Sequence, residues 1–459
     1  MSTHEPASGP ATPDGPASPL PPDDGTSVTP VVVTPVAMAD ERASRGGALG
    51  RAVAGRLGGL PRPFWVLWTG TLVNRLGTMV VPFLAFYLSG VRGLSVTEVG
   101  AVLAVGGAGS VLSQPLGGYL ADRFGRRVTL CGGMIATAAA MIAGGYAATL
   151  PALVGAVFVN GVSVDLYRPA SAALVADLVP AGERPRAYGL LFWAINLGFA
   201  CATALGGFVA RHGFGLLFWI DALTCLAFAV VMWRGVPEPP RTTARGRARG
   251  GDGFRVVLRD RVMVAFVAIS FSYLLVYQQA YTTLPLAMER DHLSPSAYGA
   301  AIALNGAVIV IVQPLALPLL TRLDRSRVLA TGSALVGLGF GLNALASTTL
   351  GYAAAVVVWT LGEIIAMSVA MAIIADLAPE HLRGRYQGLN GAAWSIAGLV
   401  APLLGSHLLA LGKLVLWPVC LGLAVAAAVG QLLLGPTIRR RAAAVAEVAA
   451  GERAANGGR

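Results

Sequence analysis

A chain of 459 residues that is 55% hydrophobic and only 12% charged lies outside the soluble range of roughly 45–50% apolar and about 25% charged residues. The excess is not one large core, because it comes in long apolar blocks, and about 20 residues rising about 1.5 Å each span a bilayer. The net charge of +11 invites a nucleic-acid reading, but its distribution along the chain argues for membrane topology instead.

Residues 1–62 contain "PASGPATPDGPASPLPPDDGTSVTP", rich in Pro, Ala, Gly and Ser without an apolar period, which predicts a disordered tail. It has no basic start followed by an apolar core, so it is not read as a signal peptide. Met1 and Met38 both remain open as the start. Twelve apolar blocks follow, at 63–91, 96–120, 128–149, 151–178, 186–210, 213–233, 262–288, 296–320, 327–348, 350–377, 385–410 and 414–435. They predict an all-α membrane protein with twelve transmembrane helices. Cys131, Cys201, Cys225 and Cys420 sit singly inside blocks without CxxC spacing, so buried small apolar residues are expected rather than disulfides or a metal site.

Of the 34 Lys and Arg, only Arg92, Arg211, Arg290 and Lys413 lie in the loops after odd-numbered blocks. Nearly all the others lie in the tails and in the loops after even-numbered blocks. By the positive-inside rule this places both termini and the long connection after the sixth block in the cytoplasm of a cell whose plasma membrane the chain spans. "RTTARGRARG" within that connection is read as topology and contact with anionic lipid, not as a nucleic-acid site.

A shift of 199 residues superposes the chain on itself. "SQPL" at 113–116 meets "VQPL" at 312–315, "ADLVP" at 176–180 meets "ADLAP" at 375–379, and Gly206 falls on Gly405. Parallel six-helix halves around a site at mid-membrane are a transporter architecture. The expected organisation is a cytoplasmic tail (1–62), a six-helix bundle (63–234), a basic linker (235–260), a second six-helix bundle (261–436) and a cytoplasmic tail (437–459).

"GYLADRFGRR..L", from Gly118 to Leu130, resembles the signature loop of the major facilitator superfamily between helices 2 and 3. The resemblance extends over residues 63–435 and points to the proton-coupled efflux branch of that family. It implies a cavity between two pseudo-symmetric bundles, lined by helices 1, 4, 7 and 10 and opened alternately to each side. It also implies a conformational latch on the cytoplasmic side built from Gly118, Asp122, Arg123, Gly125, Arg126 and Arg127, with Asp177 pairing Arg126. Small residues suit the turn, and Asp122, near a helix C-terminus, needs a partner because the helix dipole disfavours an anion there. The offset of 199 gives Arg325 and Asp376 as the same pair in the second half, while Asp122 maps onto Thr321. Both pairs are expected to hold with the outer side open and to loosen with the cytoplasmic side open.

A charge at a helix centre costs about 2.5–3.5 kcal/mol on insertion scales, so such residues are candidates for function. Arg75 in the first block, Asp165 and Arg168 in the fourth and Glu363 in the tenth occupy such positions. Asp165 and Arg168 are three apart on one face, so a structural ion pair stands beside a functional role. Glu363 has no charged neighbour on its own helix and ranks first as proton carrier, ahead of Asp165. Asp221 lies nearer the end of a peripheral helix, where packing is expected.

The seventh block carries "SYLLVYQQAYTTLP", with Tyr273, Tyr277 and Tyr281 recurring every four residues beside Gln278 and Gln279. Such a stripe suits a ligand with flat or amide groups. Asn74, Asn305 and Trp359 complete the expected substrate cavity with Arg75, Arg168, Tyr273, Tyr277, Gln278 and Tyr281. The fifth block departs from the drug-antiporter motif GxxxGPxxGG, since "GFACATALGG" at 198–207 has Ala202 and Thr203 in place of Gly-Pro. Val157 stands where that branch has an arginine, four residues before Gly161.

The expectation is a monomeric secondary transporter that exports small amphipathic molecules by proton antiport. Its partners are a small-molecule substrate, protons and membrane lipids, with no cofactor, metal or nucleic acid. Export of short peptides or amino-acid-like zwitterions is the alternative that Arg75 and Arg168 favour, and a non-transporting receptor is the alternative of another class. No P-loop, HExxH or nucleophile motif occurs, so no enzyme is expected.

Overall fold

The computed structural model describes residues 60–238, 255–320, 322–379 and 382–457. The expectations for most of the N-terminal tail and for the middle of the linker lie outside these residues, as does the Thr321 equivalence. Among the described residues the chain is helical and contains no strand.

Twelve rods appear in chain order. They are α1 (Arg62–Gly77, then Val80–Phe86, prolonged by a π-turn at Tyr87–Val91), α2 (Val96–Phe124), α3 (Arg126–Gly145), α4 (Leu150–Val164, then Tyr167–Leu178), α5 (Arg184–Val209) and α6 (Phe214–Gly235). After a short lead-in helix, Arg255–Arg259, come α7 (Arg261–Tyr277, then Gln279–Arg290), α8 (Pro295–Leu320), α9 (Arg325–Leu342), α10 (Thr349–Leu377), α11 (Arg383–Leu411) and α12 (Lys413–Gly457). Ten of them are long and apolar enough to cross a membrane. The exceptions are α4, whose first segment has 15 residues, and α9, which is short and glycine-rich.

The breaks in α1 and α4 have a common local cause. Pro82 stands four residues after Thr78, and Pro169 four after Asp165. A proline has no N–H to return to the carbonyl four residues back, and its ring clashes with it. Thr78 and Asp165 accordingly end the first segments of their rods. The break in α7 falls at Gln278 without a proline at that register.

The last rod, α12, runs on unbroken past the twelfth apolar block to Gly457. The stretch after Arg441 is rich in alanine, the best helix former. Its base is held at the arginine-rich end of the molecule, where Arg439 Nη1 lies 2.8 Å from Asp324 Oδ2 and Arg441 Nη2 3.7 Å from Asp260 Oδ2. Asp324 also caps α9 by accepting the Arg327 N–H at 2.9 Å. Partial burial works against its charged form, but the Arg327 N–H and the Arg439 guanidinium win and hold the carboxyl below the usual carboxylate range. A lowered folded pKa means that this capping stability is present above about pH 4 and lost as pH falls through the folded value. Thermal unfolding of purified Asp324→Asn is therefore expected at a lower temperature than wild type near pH 6, with the gap closing toward pH 3.

Rods α1–α6 pack on one another and α7–α12 do the same, while α2 against α11 and α5 against α8 carry the main contacts between the halves. Those contacts rest on small residues that let backbones meet. A Cβ on Gly107 would land on the Gly398 backbone, and one on Gly207 would come within 2.8 Å of the Ser296 Cα. Toward the arginine-rich end the same rods part. Cβ positions at Gly118 in α2, Gly189 in α5 and Gly384 and Gly391 in α11 meet nothing within 4 Å, and Tyr119 and Leu315 are 55% and 76% exposed. At the other end Phe83 and Phe86 pack edge-on and tilted against Tyr298, and Arg211 Nε meets Ser296 Oγ at 3.0 Å. The halves thus enclose a cleft closed at that end and open at the arginine-rich end.

Candidate functional site

Glu363 lies midway along α10 and is only 8% exposed. Its carboxyl takes two hydrogen bonds from different rods: the Tyr277 hydroxyl donates to Oε1 at 2.8 Å and the Asn305 amide to Oε2 at 2.8 Å. The Asn305 amide also donates to Thr360 Oγ1 at 2.9 Å, and the Thr360 hydroxyl donates to the Val356 carbonyl at 2.6 Å. Thr360 thereby fixes the amide that faces the acid. Neither partner is a cation. Hydrogen bonds to a charged group contribute about 1.5–3 kcal/mol each, so two of them offset the cost of a charge at this depth.

The tyrosine stripe wraps this acid across the break in α7. Tyr273 stacks on Tyr277 with centroids 6.2 Å apart, and the Tyr277 and Tyr281 hydroxyls are 3.4 Å apart. Trp394 of α11 packs edge-on against Tyr277 at 5.6 Å, and Phe199 of α5 against Tyr281 at 5.8 Å. The second contact joins the halves. Gln278 sits at the break with its amide nitrogen beside Gly398. Among the described residues the buried Tyr273 hydroxyl has no hydrogen-bond partner.

Two expected cavity residues, Asn74 and Trp359, are packed away from the cleft. Asn74 is buried inside the first half, where its amide points at Cys225 Sγ (3.3 Å) and Met134 Sδ (3.7 Å). The rotation of α1 turns it toward α3 and α6, away from the cleft. Arg75 places its guanidinium over the Tyr167 ring at 5.4 Å. Trp359 is fully buried between Tyr277 and Phe340, so it backs the wall and does not line the cleft. Asp165 stands at the C-terminal end of the first segment of α4. The expectations for the side chains of Arg168 and Asp122 lie outside the described residues.

Asp221 is packed, as its position in α6 suggested, but with a specific task. Its Oδ2 accepts the Val80 N–H at 3.3 Å, a donor exposed by the break in α1. Thr360, Trp394 and Phe199 were missed because each is individually an ordinary helix residue. Thr360 alone carried a signal, being three positions before Glu363 and so on its face.

At the arginine-rich end, both expected pairs are present: Arg126 with Asp177 and Arg325 with Asp376. Both pairs are closed in this structure, in which the rods of the two halves part at this end. Each pair joins two rods of one half, so parting the halves does not stretch it. Arg123 donates to the Tyr119 hydroxyl at 2.6 Å on its own helix. Gly118 lies within α2 and not in the turn; Gly125 alone makes the turn, at φ 103°. Glu238, just past α6, completes the cluster by accepting the Arg126 N–H at 2.7 Å and lying 3.6 Å from Arg127 Nε. It was missed because it falls in a Pro-rich connection.

Comparison with known proteins agrees with this architecture. The profile of the Major Facilitator Superfamily matches residues 67–402 and again 279–456. The multidrug resistance protein MdtH of Salmonella choleraesuis is 24% identical over 356 residues, 76% of this chain and 87% of its own length. A Na(+), Li(+), K(+)/H(+) antiporter of Planococcus maritimus is 24% identical over 358 residues, 71% of this chain and 84% of its own. Among solved structures, a POT family transporter in complex with 5-aminolevulinic acid superposes with a TM-score of 0.71 at 15% identity, covering 83% of this chain and 98% of that one. The match covers most of the membrane-spanning chain, and the fold, the paired halves and the signature turn agree with it. The chain belongs to the major facilitator superfamily and is a multi-pass membrane transporter, not an enzyme.

Proposed function

We propose that the protein is a proton antiporter that exports small amphipathic molecules across the plasma membrane, with both termini and the arginine-rich end in the cytoplasm. The observation that carries this reading is the enclosed carboxyl of Glu363 between the Tyr277 hydroxyl and the Asn305 amide. As a carboxylate it accepts both bonds. Once protonated it becomes a donor and must give one of them up, and the movable partner is Tyr277, because Thr360 holds Asn305. Tyr277 adjoins the break in α7 and touches Tyr281, which packs on Phe199 of the other half. Proton occupancy is thereby linked to the seam between the halves, as coupling requires: a ligand shifts an equilibrium only through differential affinity for its two states. The aromatic wall suits a ligand with flat apolar groups.

Two names among the relatives, a multidrug resistance protein and a monovalent cation/proton antiporter, define the test. Reconstituted protein with an imposed pH gradient is offered cationic dyes, short peptides, Na+ and K+ in turn. Uphill movement of dyes alone supports the proposal. Uphill Na+ or K+ with no dye flux overturns it in favour of cation exchange, and peptide flux in favour of a zwitterion carrier. Tyr277→Phe, which deletes the donor to Glu363, is expected to lower uphill flux roughly ten-fold, the worth of one hydrogen bond to a charged group, while leaving the amount of folded protein unchanged by size exclusion.

A further inference from the structure

The outer faces of α3 and α6 diverge to leave a hollow of about 500 Å³ on the membrane-facing surface, away from the cleft. Its walls are apolar, formed by Val128 and Ile135 of α3 and Leu226 and Val230 of α6. Its floor is set by Gly132, where a Cβ would meet nothing within 4 Å. From Val128 to Ile135 the α3 wall rises about 10 Å, enough for the upper part of an acyl chain. Trp233 and Arg234 stand at the mouth, at the arginine-rich end of α6.

Charge distinguishes this mouth from a bare greasy groove. Arg127 next to it is already engaged: it stacks on the Trp233 ring at 4.6 Å, donates to the Val236 carbonyl at 3.1 Å and lies 3.6 Å from Glu238 Oε2. Arg234 is exposed and has no acid or carbonyl partner among the described residues. The mouth therefore carries one uncompensated positive charge beside an exposed tryptophan, a residue that favours the headgroup level of a bilayer.

We infer that the α3–α6 hollow is a binding site for one anionic phospholipid, with an acyl chain over Gly132 and the headgroup phosphate at Arg234. The hollow runs inward from the end where the basic side chains sit, in the leaflet that presents anionic lipid to them.

The test uses the full chain in a non-ionic detergent, supplied with equal amounts of phosphatidylglycerol and phosphatidylcholine of the same acyl chains, with bound lipid counted by native mass spectrometry. Wild type is expected to retain one phosphatidylglycerol in preference to phosphatidylcholine. Gly132→Phe, whose ring fills the floor from a membrane-facing position, is expected to lose the retained lipid of either kind at unchanged unfolding temperature. Arg234→Gln is expected to keep lipid but lose about five-fold in preference for the anionic one, the equivalent of about 1 kcal/mol for one basic side chain at an anionic surface. Equal retention by wild type and Gly132→Phe would overturn the inference and place the lipid elsewhere, for example on the linker arginines. A Gly132→Phe protein that turns from dimer to monomer would overturn it too, showing that the hollow receives a second copy of the chain. Absence of any anionic preference in wild type does the same.

Discussion

Glu363→Gln is expected to abolish uphill transport while leaving substrate binding largely intact. Glutamine keeps the shape and can still accept at its oxygen from Tyr277 or Asn305, but it carries no titratable proton and has its own N–H to place. The side chain then mimics the protonated acid at every pH, so binding of substrate no longer releases a proton. Two measurements check this: proton release into weak buffer when substrate is added to purified protein, and flux with and without a pH gradient. Loss of proton release together with surviving downhill exchange is the expected pair. The scale is set by the membrane potential, which contributes about 2.3 kcal/mol per charge per 100 mV; about 50-fold of accumulation per 100 mV disappears when one coupled proton is lost. If Glu363→Gln releases protons like the wild type, the acid assignment is wrong. Asp165→Asn, made alongside it, then shows whether the carrier lies in α4.

Gly107→Leu is expected to displace the conformational equilibrium away from the state seen here. In this state the α2 backbone at Gly107 meets the α11 backbone at Gly398, with no room for a Cβ, and a leucine there collides with main chain that has no rotamer to yield. Overpacking of this kind costs about 1–3 kcal/mol, equivalent to roughly a five- to 150-fold shift between the two access states. Because the contact exists only where the halves touch, the cost falls on the state open at the arginine-rich end and not on folding. Cysteine labelling at the opposite end, for example at Ser296 replaced by cysteine, should become faster, and labelling of a cysteine at Tyr119 slower. Uphill flux should fall in proportion. Unchanged labelling at both positions would show that this contact is not part of the moving seam. Gly118→Leu, at a position facing open space, is the matched control and should leave this state undisturbed.

The latch residues show why a motif read along the chain and a structure can disagree without either being arbitrary. Arg126 with Asp177 was implied by the family resemblance and Arg325 with Asp376 by the repeat, each joining a turn arginine to the acid near the end of the next rod. Their work was not legible. Both members of each pair belong to one half, so they brace a bundle and do not hold two bundles together. Glu238, which anchors the connection between the halves onto Gly125–Arg127, carried no pattern at all.

Some features followed from the sequence alone because they depend on transfer from water to lipid, a property of composition over about 20 residues. The helical rods, the parallel halves and the arginine-rich end belong here. The rank of Glu363 belongs here too, since an acid at mid-membrane is costly wherever its helix points. What surrounds that acid was decided only by tertiary packing. Tyr277, Asn305 and Glu363 lie on three rods, and whether a side chain looks into the cleft or into its own bundle depends on how each helix is rotated about its axis. That rotation turned Asn74 into the first bundle against Cys225, backed Trp359 onto Phe340 and left Tyr277 facing the carboxylate. A helix turns by 100° per residue, while apolar residues on every side make its faces nearly equivalent in lipid. The hydrophobic pattern therefore cannot select a face, and the choice falls to close glycine contacts and hydrogen bonds between residues far apart in the chain.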